Sequence, residues 1–326
     1  MNTFGALAEL LRIDLKTMKS RLRARLAGNP GDSITYILLG DIHVEQGLLE
    51  SAVELFIKAD SIAPKFPAVH LALGRAYHKL RDFGAAIAQY DTALALDQTN
   101  RRALALRAVS RSMLDDWPGA IADFETANEI VVMSREVRYR YGLCLWADGQ
   151  VGRAVDEFER SIRGHWTDYR IYVSWSMAEA SRGNTEQARK GLRRALEIAP
   201  PSRFVLEALA DVFTIEDKPD SAAHFLERAV RMAPAVTNLR NRLGMLYARI
   251  GERDKCEETF EVSTLLESEN AESYALWARA RASFGDHEGA LEMIERALRL
   301  APFDETIMNL RKEILPTVPV IRDNKR

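Results

Sequence analysis

A spacing of 34 residues recurs from Ser33 to Asp304 without one insertion or deletion, and it restricts the chain to stacked, near-equivalent units. With Ser33 as position 1, the units are 33–66, 67–100, 101–134, 135–168, 169–202, 203–236, 237–270 and 271–304. Position 8 is small in all of them: Gly40, Gly74, Ala108, Gly142, Ser176, Ala210, Gly244 and Ala278. Position 20 reads Ala52, Ala86, Ala120, Ala154, Ala188, Ala222, Cys256 and Ala290. Position 27 is Ala or Ser throughout, from Ala59 to Ala297. Position 24 is always large and apolar: Phe56, Tyr90, Phe124, Phe158, Leu192, Leu226, Phe260 and Ile294.

Two helices per unit explain this pattern. Helices approach closely only where their contact residues are small, and a large side chain from a nearby turn fills the groove beside them. Positions 20, 24 and 27 share one face of a second helix, and positions 4, 7, 8 and 11 share one face of a first helix. The punctuation agrees. Position 15 is Gly47, Gly149, Gly183, Gly251 and Gly285 in five units, the residue wanted where a helix ends left-handed. Asp82, Asp116, Asn184 and Asp286 follow as N-cap types. Pro118 and Pro219 sit near second-helix starts, and Pro64, Pro200, Pro234 and Pro302 close second helices at position 32.

These residues resemble the tetratricopeptide repeat, whose pattern is a large residue at 4, Leu at 7, Gly or Ala at 8, Tyr at 11, Ala at 20, Phe at 24, Ala at 27 and Pro at 32. The resemblance implies an all-α fold, a right-handed superhelical solenoid of helix–turn–helix repeats with helical caps. Arg107 and Arg111 depart from the pattern at positions 7 and 11, as do Glu179 and Arg281 at position 11. Such charges imply either less regular packing there or a partner that meets them.

A solenoid needs closed ends. Leu7, Leu11, Leu15, Met18, Leu22 and Leu26 form a helical stripe within residues 1–32, read as a capping helix or half-repeat. Residues 305–315 read as a C-terminal capping helix with Ile307, Leu310 and Ile314 inward, and 316–326 as a flexible tail. Val318 to Ile321 is an apolar stretch in that tail that admits self-association by docking on a neighbour.

The resemblance also places the ligand-touching positions, namely 2, 5, 6, 9, 12 and 13 of first helices lining a concave groove. In the first five units these include Ile34, Ile37, Asp41, Leu71, Arg75, Lys79, Arg102, Val109, Tyr139, Leu143, Trp146, Arg170, Val173 and Met177. Apolar anchors mixed with arginines suit a peptide segment carrying acidic groups. The later units give a more polar set: Phe204, Glu207, Asp211, Asn238, Asn241, Arg242, Met245, Glu272 and Arg279. The preferred partner region is therefore expected in the first five units. The carboxylate clamp of heat-shock co-chaperones does not match, since position 5 is never Lys and position 9 never Asn.

Composition narrows the function classes. A 47% hydrophobic, 28% charged chain folds, and a net charge of −2 gives no overall field for nucleic acid. The basic cluster Arg101, Arg102, Arg107 and Arg111 lacks interleaved aromatic stacking platforms, which favours an acidic protein segment over RNA. Arg12, Lys16, Lys19, Arg21, Arg23 and Arg25 read as the solvated outer face of the N-terminal cap, with a peripheral anionic membrane or acidic partner as the alternative. The six histidines are scattered. His43 and His70 fall at packing positions, where a satisfied interfacial role is expected. Cys144 and Cys256 fit no disulfide or metal pattern, and no cofactor, metal or catalytic motif is present. The absence of an apolar span or signal pattern makes the cytoplasm the expected address.

The resulting expectation is a non-catalytic protein-binding scaffold or adaptor. Arg- and Ala-rich usage points to a bacterial source, where arrays of this kind serve secretion, polysaccharide export or envelope assembly. The alternatives are a regulatory or targeting subunit of a separate enzyme and an RNA-binding helical repeat.

Overall fold

The computed structural model describes residues 15–130, 134–163, 168–199 and 202–315. Every regular element among them is a helix. The chain divides into two compact bodies, Met1–Gly164 and His165–Arg326.

In the first body, α1 (Leu15–Gly28) precedes four helix pairs: α2 (Ser33–Glu45) with α3 (Leu49–Ile62), α4 (Pro67–Lys79) with α5 (Phe83–Leu96), α6 (Arg101–Ser112) with α7 (Trp117–Ile130), and α8 (Arg135–Ala147) with α9 (Val151–Ile162). In the second body, the pairs are α10 (Tyr169–Ser181) with α11 (Thr185–Ile198), α12 (Arg203–Ile215) with α13 (Pro219–Met232), α14 (Thr237–Ile250) with α15 (Arg253–Leu266), and α16 (Ala271–Ser283) with α17 (His287–Leu300). Helix α18 (Glu305–Ile314) follows. Each first helix thus begins at position 1 of the 34-residue frame.

The small and large positions interlock. The side chains at positions 20 and 24, from Ala52 and Phe56 to Ala290 and Ile294, are buried in all eight pairs. A β-carbon added at Gly142 or Gly244 would lie 2.6 Å from the ring of Phe158 or Phe260, and one at Gly40 or Gly74 would lie closer still to Phe56 or Tyr90. Ala or Ser at position 8 faces an aliphatic residue in three other pairs: Ser176 with Leu192, Ala210 with Leu226, and Ala278 with Ile294. Position 8 shrinks as position 24 grows, which keeps the pair's volume nearly constant at interior packing density. Ala108 with Phe124 is the exception.

The turn within each pair is also uniform. Gly47, Gly149, Gly183, Gly251 and Gly285 have φ between +75° and +88°. Arg81 (64°), Asp115 (59°) and Asp217 (54°) take the same left-handed conformation in the three pairs without glycine. An L side chain there costs roughly 1–2 kcal/mol, and glycine's extra unfolded-state entropy offsets part of any relief. Arg81→Gly and Asp217→Gly are each expected to raise stability by about 0.5–1 kcal/mol in chemical denaturation.

Second helices are capped as expected at Asp82, Asp116 and Asp286, whose carboxylates accept from the backbone N–H groups of Ala85, Gly119 and Gly289. Asn184 differs. Its Nδ2 donates to Glu179 Oε2 at 2.6 Å and no side-chain cap bond forms, because the buried carboxylate at position 11 needs a donor more than the helix end does. Pro200 lies outside the described residues.

The charges at departing positions turn inward. Arg107 binds Asp123 bidentately, Nε to Oδ2 at 2.8 Å and Nη2 to Oδ1 at 2.6 Å, and also reaches Asp91. Arg111 adds a third bond to Asp123 at 2.9 Å. Arg281 is held on Glu257 at 2.6 Å and lies over the Trp277 ring, 4.6 Å from its centroid. None of these three arginines is a spare charge for a partner.

At the ends, α1 sets Leu15, Met18, Leu22 and Leu26 half-buried, and no residue of α1 is fully buried. Leu7 and Leu11 of the same stripe lie outside the described residues. Helix α18 buries Ile307, Leu310 and Ile314 in the second body's core. Tail residues 316–326, including the Val318–Ile321 stretch, also lie outside the described residues.

Candidate functional site

In the first body, successive first helices (α2, α4, α6, α8) touch one another, whereas no two successive second helices make a comparable contact among the described residues. The first helices therefore form a continuous face, and positions 2, 5, 6, 9, 12 and 13 are at least partly exposed on it except at Val44 and Ala72, which are buried. All fourteen candidate residues are at least partly exposed. Eleven of them, Ile34 to Trp146, are in the first body; Arg170, Val173 and Met177 are in the second. Ile34 is 53% exposed, a large apolar side chain left open at the start of α2. Lys79 and Arg102 are exposed, while Ile37, Leu71, Val109, Leu143 and Trp146 are half-buried. Tyr139 leans on the Phe158 ring at 6.0 Å, so part of its surface serves packing.

Asp41 and Arg75, both at position 9, pair across α2 and α4 at 3.3 Å with about a fifth of each side chain exposed. Burial holds the Asp41 carboxyl above the usual range, against the pull of Arg75 and Arg102. Arg170 is occupied differently: its guanidinium forks onto Asp168, with Nη2 to Oδ2 at 2.6 Å, and a helix-capping neighbour takes the charge that sequence reasoning offered to a partner.

In the second body, α14 and α16 are drawn together by a buried relay. Asn241 donates to Ser273 Oγ at 2.8 Å and accepts from Ser263 Oγ at 2.6 Å. Asn241 is 3% exposed, so this position-5 residue is internal rather than part of a groove. The small Ser at positions 27 and 3 leaves room for the amide to turn in. Between α12 and α14 the contact opens into a cavity of about 290 Å³, lined by Asp211, Asn238, Arg242, Met245 and Leu276 among others. Arg242 bridges it to Asp211 and Glu207. Sequence reasoning named most of these residues singly but did not foresee the opening.

A cavity of about 370 Å³ between α7, α8 and α9 of the first body is lined by Glu125, Tyr141, Arg153, Glu157 and Arg160. Its charges are already matched: Arg153 with Glu125 at 2.5 Å, Arg160 with Glu157 at 2.6 Å.

Burial pushes the Cys144 thiol up to about 11 and the Cys256 thiol up to about 12, which leaves both protonated and unreactive near neutrality. His70 has its ring nitrogens 3.0 Å from Gln89 Oε1 and from the Pro64 carbonyl oxygen. His43 is not satisfied in the same way: it is buried and neither ring nitrogen has a partner. Burial, with Lys19 and Arg23 nearby, depresses its pKa and keeps it neutral. Among the described residues no helix is long and apolar enough to cross a membrane.

A tetratricopeptide-repeat family model matches residues 43–109, which span the α2–α3 turn, the whole α4–α5 pair and most of α6. The same helix pair, turn conformation and interlocked positions recur in every other pair. This chain is a tetratricopeptide-repeat protein. It is 23% identical over 223 residues to BBSome complex member BBS4 of Bos taurus, covering 68% of this chain and 43% of that protein. It is 32% identical over 137 residues to type IV pilus assembly protein PilF of Pseudomonas aeruginosa, covering 40% of this chain and 52% of that one. The chain spans about half the length of these curated relatives. Among solved structures, the Cut9–Hcn1 hetero-tetramer of the APC/C aligns with 93% of this chain and 60% of its own, at a TM-score of 0.55 and 13% identity, a likeness of fold.

Proposed function

We propose that this tetratricopeptide array is a non-catalytic scaffold whose first-helix face binds an extended or helical segment of a partner protein. It would work as eight repeats between capping helices α1 and α18. The observation that carries the reading is the division of labour along each first helix. One set of positions is spent on packing, while the other leaves apolar side chains such as Ile34 and Trp146 accessible beside arginines. A surface of that kind buries hydrophobic anchors and pairs acidic groups of a ligand. Arg107 and Arg111 are consumed by Asp123, which leaves RNA without the basic cluster it would need.

By their names, PilF assembles a pilus and BBS4 belongs to a multi-protein complex, which supports a role inside an assembly. An envelope, secretion or polysaccharide-export assembly in the cytoplasm of a bacterium is the setting we propose. The test is site-specific photocrosslinking in the native host, with the probe placed at Ile34 or Lys79 on first helices and at Ile57 on the second helix α3. Partner adducts at Ile34 and Lys79 are expected, and adducts confined to Ile57 would reject the reading.

A further inference from the structure

The seam between α1 and α2 breaks a charge pattern that later seams keep. Counted back one unit, α1 (Leu15–Gly28) occupies positions 17–30, the place that second helices hold in the pairs. At three later seams, a donor at position 7 or 11 of a first helix meets a carboxylate at position 21 or 25 of the second helix before it. Tyr141 donates to Glu125 at 3.2 Å, Tyr247 to Glu227 at 2.7 Å, and Trp277 and Arg281 both to Glu257, at 2.9 and 2.6 Å. At the first seam position 11 is His43, and positions 21 and 25 are Lys19 and Arg23. Cations stand where the other seams hold carboxylates.

The contacts put those cations beside the ring. Lys19 Nζ donates to Gln46 Oε1 at 3.2 Å, and Gln46 lies one turn of α2 after His43. The link at residues 29–32 is short, so α1 and α2 run antiparallel and Arg23, one turn after Lys19, falls beside His43. The imidazole is 8% exposed, and neither ring nitrogen has a partner among the described residues. On α2 its neighbours along the same face are Leu39 and Gln46, while Asp41 and Glu45 project from the opposite side. On α3, Ser51 and Leu55 stand where Gly119 and Asp123 of α7 receive Arg111, and the acids Glu50 and Glu54 are exposed. Burial first, then Lys19 and Arg23, hold the His43 pKa below the ordinary histidine range. Helix α1 is also lightly held: none of its residues is fully buried, whereas every other helix has several that are.

We infer that α1 is an acid-released cap with His43 as its trigger. While the imidazole is neutral, α1 stays on α2. A proton taken up at His43 puts a third positive charge into a seam that already holds two and offers it no acceptor. The charged ring recovers hydration only when α1 lifts away. Released α1 leaves His43 with its ordinary pKa, so the released state binds the proton more tightly, and docking weakens as pH falls through ~6.5. The Arg25–Asp32 bond in the link, at 2.7 Å, outlasts the change, because hydrogen bonds from Thr35 hold the Asp32 carboxyl below its usual range. Helix α1 therefore remains tethered. The first repeat loses its neighbour at one end, and α2 loosens next.

The test is hydrogen exchange of the full-length chain, expressed as protection relative to the intrinsic rate at each pH. From about pH 7.5 to about pH 5.5, the opening equilibrium of residues 15–28 should rise about fivefold or more, with that of α18 in the same sample unchanged within about twofold. His43→Leu puts in the residue that Leu145 supplies at position 11 of another pair, and α1 should then ignore this pH step. Arg23 is exposed, so Arg23→Glu leaves the core alone while giving the seam the carboxylate that Glu227 provides elsewhere. That variant should flatten or reverse the response. An α1 that does not respond to pH in the parent chain, or full acid release in either variant, would overturn the inference.

Discussion

Replacing Phe260 by alanine is expected to cost about 3–5 kcal/mol of stability, read as a shift in the denaturation midpoint. The ring is fully buried, stacks on Trp277 at 6.3 Å, and closes over Gly244. The more telling experiment couples the two positions. Gly244→Ala gains helix propensity, yet its β-carbon would meet the ring at 2.6 Å, so it should lower stability by about 1–2 kcal/mol. In a Phe260→Leu background the same change should become neutral or favourable, because the pair then matches Ala210 and Leu226. Additive effects of the two substitutions would mean that position 8 is small for a reason other than the ring. Since a repeat array need not unfold in one step, hydrogen exchange in α14 and α15 should show the loss most strongly.

The second large effect concerns charge. Asp123→Ala is expected to cost about 3 kcal/mol, because it strands two cations that the fold has drawn inward. Asp123 is 4% exposed, and the Arg107 and Arg111 side chains are only 17% and 24% exposed. Hydrogen bonds to Asp123, ahead of those to Asp91, raise the pKa of Arg107, so that guanidinium cannot escape by losing its proton. In an Arg107→Leu/Arg111→Tyr background, which restores the residues the repeat pattern prefers, Asp123→Ala should cost less than about 1 kcal/mol. An equal loss in both backgrounds would place the role of Asp123 elsewhere. Thermal melts of the four chains in the same buffer provide the comparison.

The repeat register was open to reading from residue type alone, because Gly or Ala at 8, Ala at 20 and a large residue at 24 have one packing solution. The first-helix face followed from the resemblance to the tetratricopeptide repeat that those positions carry. What escaped was the destination of polar side chains. Nothing local to Arg107 announces that its acceptor, Asp123, is sixteen residues away on the partner helix. Asn241 shares its frame position with half-buried residues such as Ile37, yet it turns fully inward because Ser263 and Ser273 leave space and offer hydroxyls. Arg170 sits where a ligand contact is expected, but Asp168 stands one residue before its helix and takes it. The left-handed turns at Arg81, Asp115 and Asp217 were hidden for a related reason: the surrounding pair imposes the conformation and the residue tolerates it. Long-range pairing and tertiary override are not written in spacing.

The central claim is that the exposed first-helix positions, such as Ile34 and Lys79, are available to a partner. A double variant, Ile34→Asp/Lys79→Glu, tests it directly when partner affinity and melting temperature are measured on the same preparations. Both side chains are exposed, so the melting temperature should stay within about 2 °C of the parent, the scale of a surface change of ±0.5 kcal/mol, while partner binding falls at least tenfold. Unchanged partner affinity in a normally folded variant, or a large drop in melting temperature, would contradict the account.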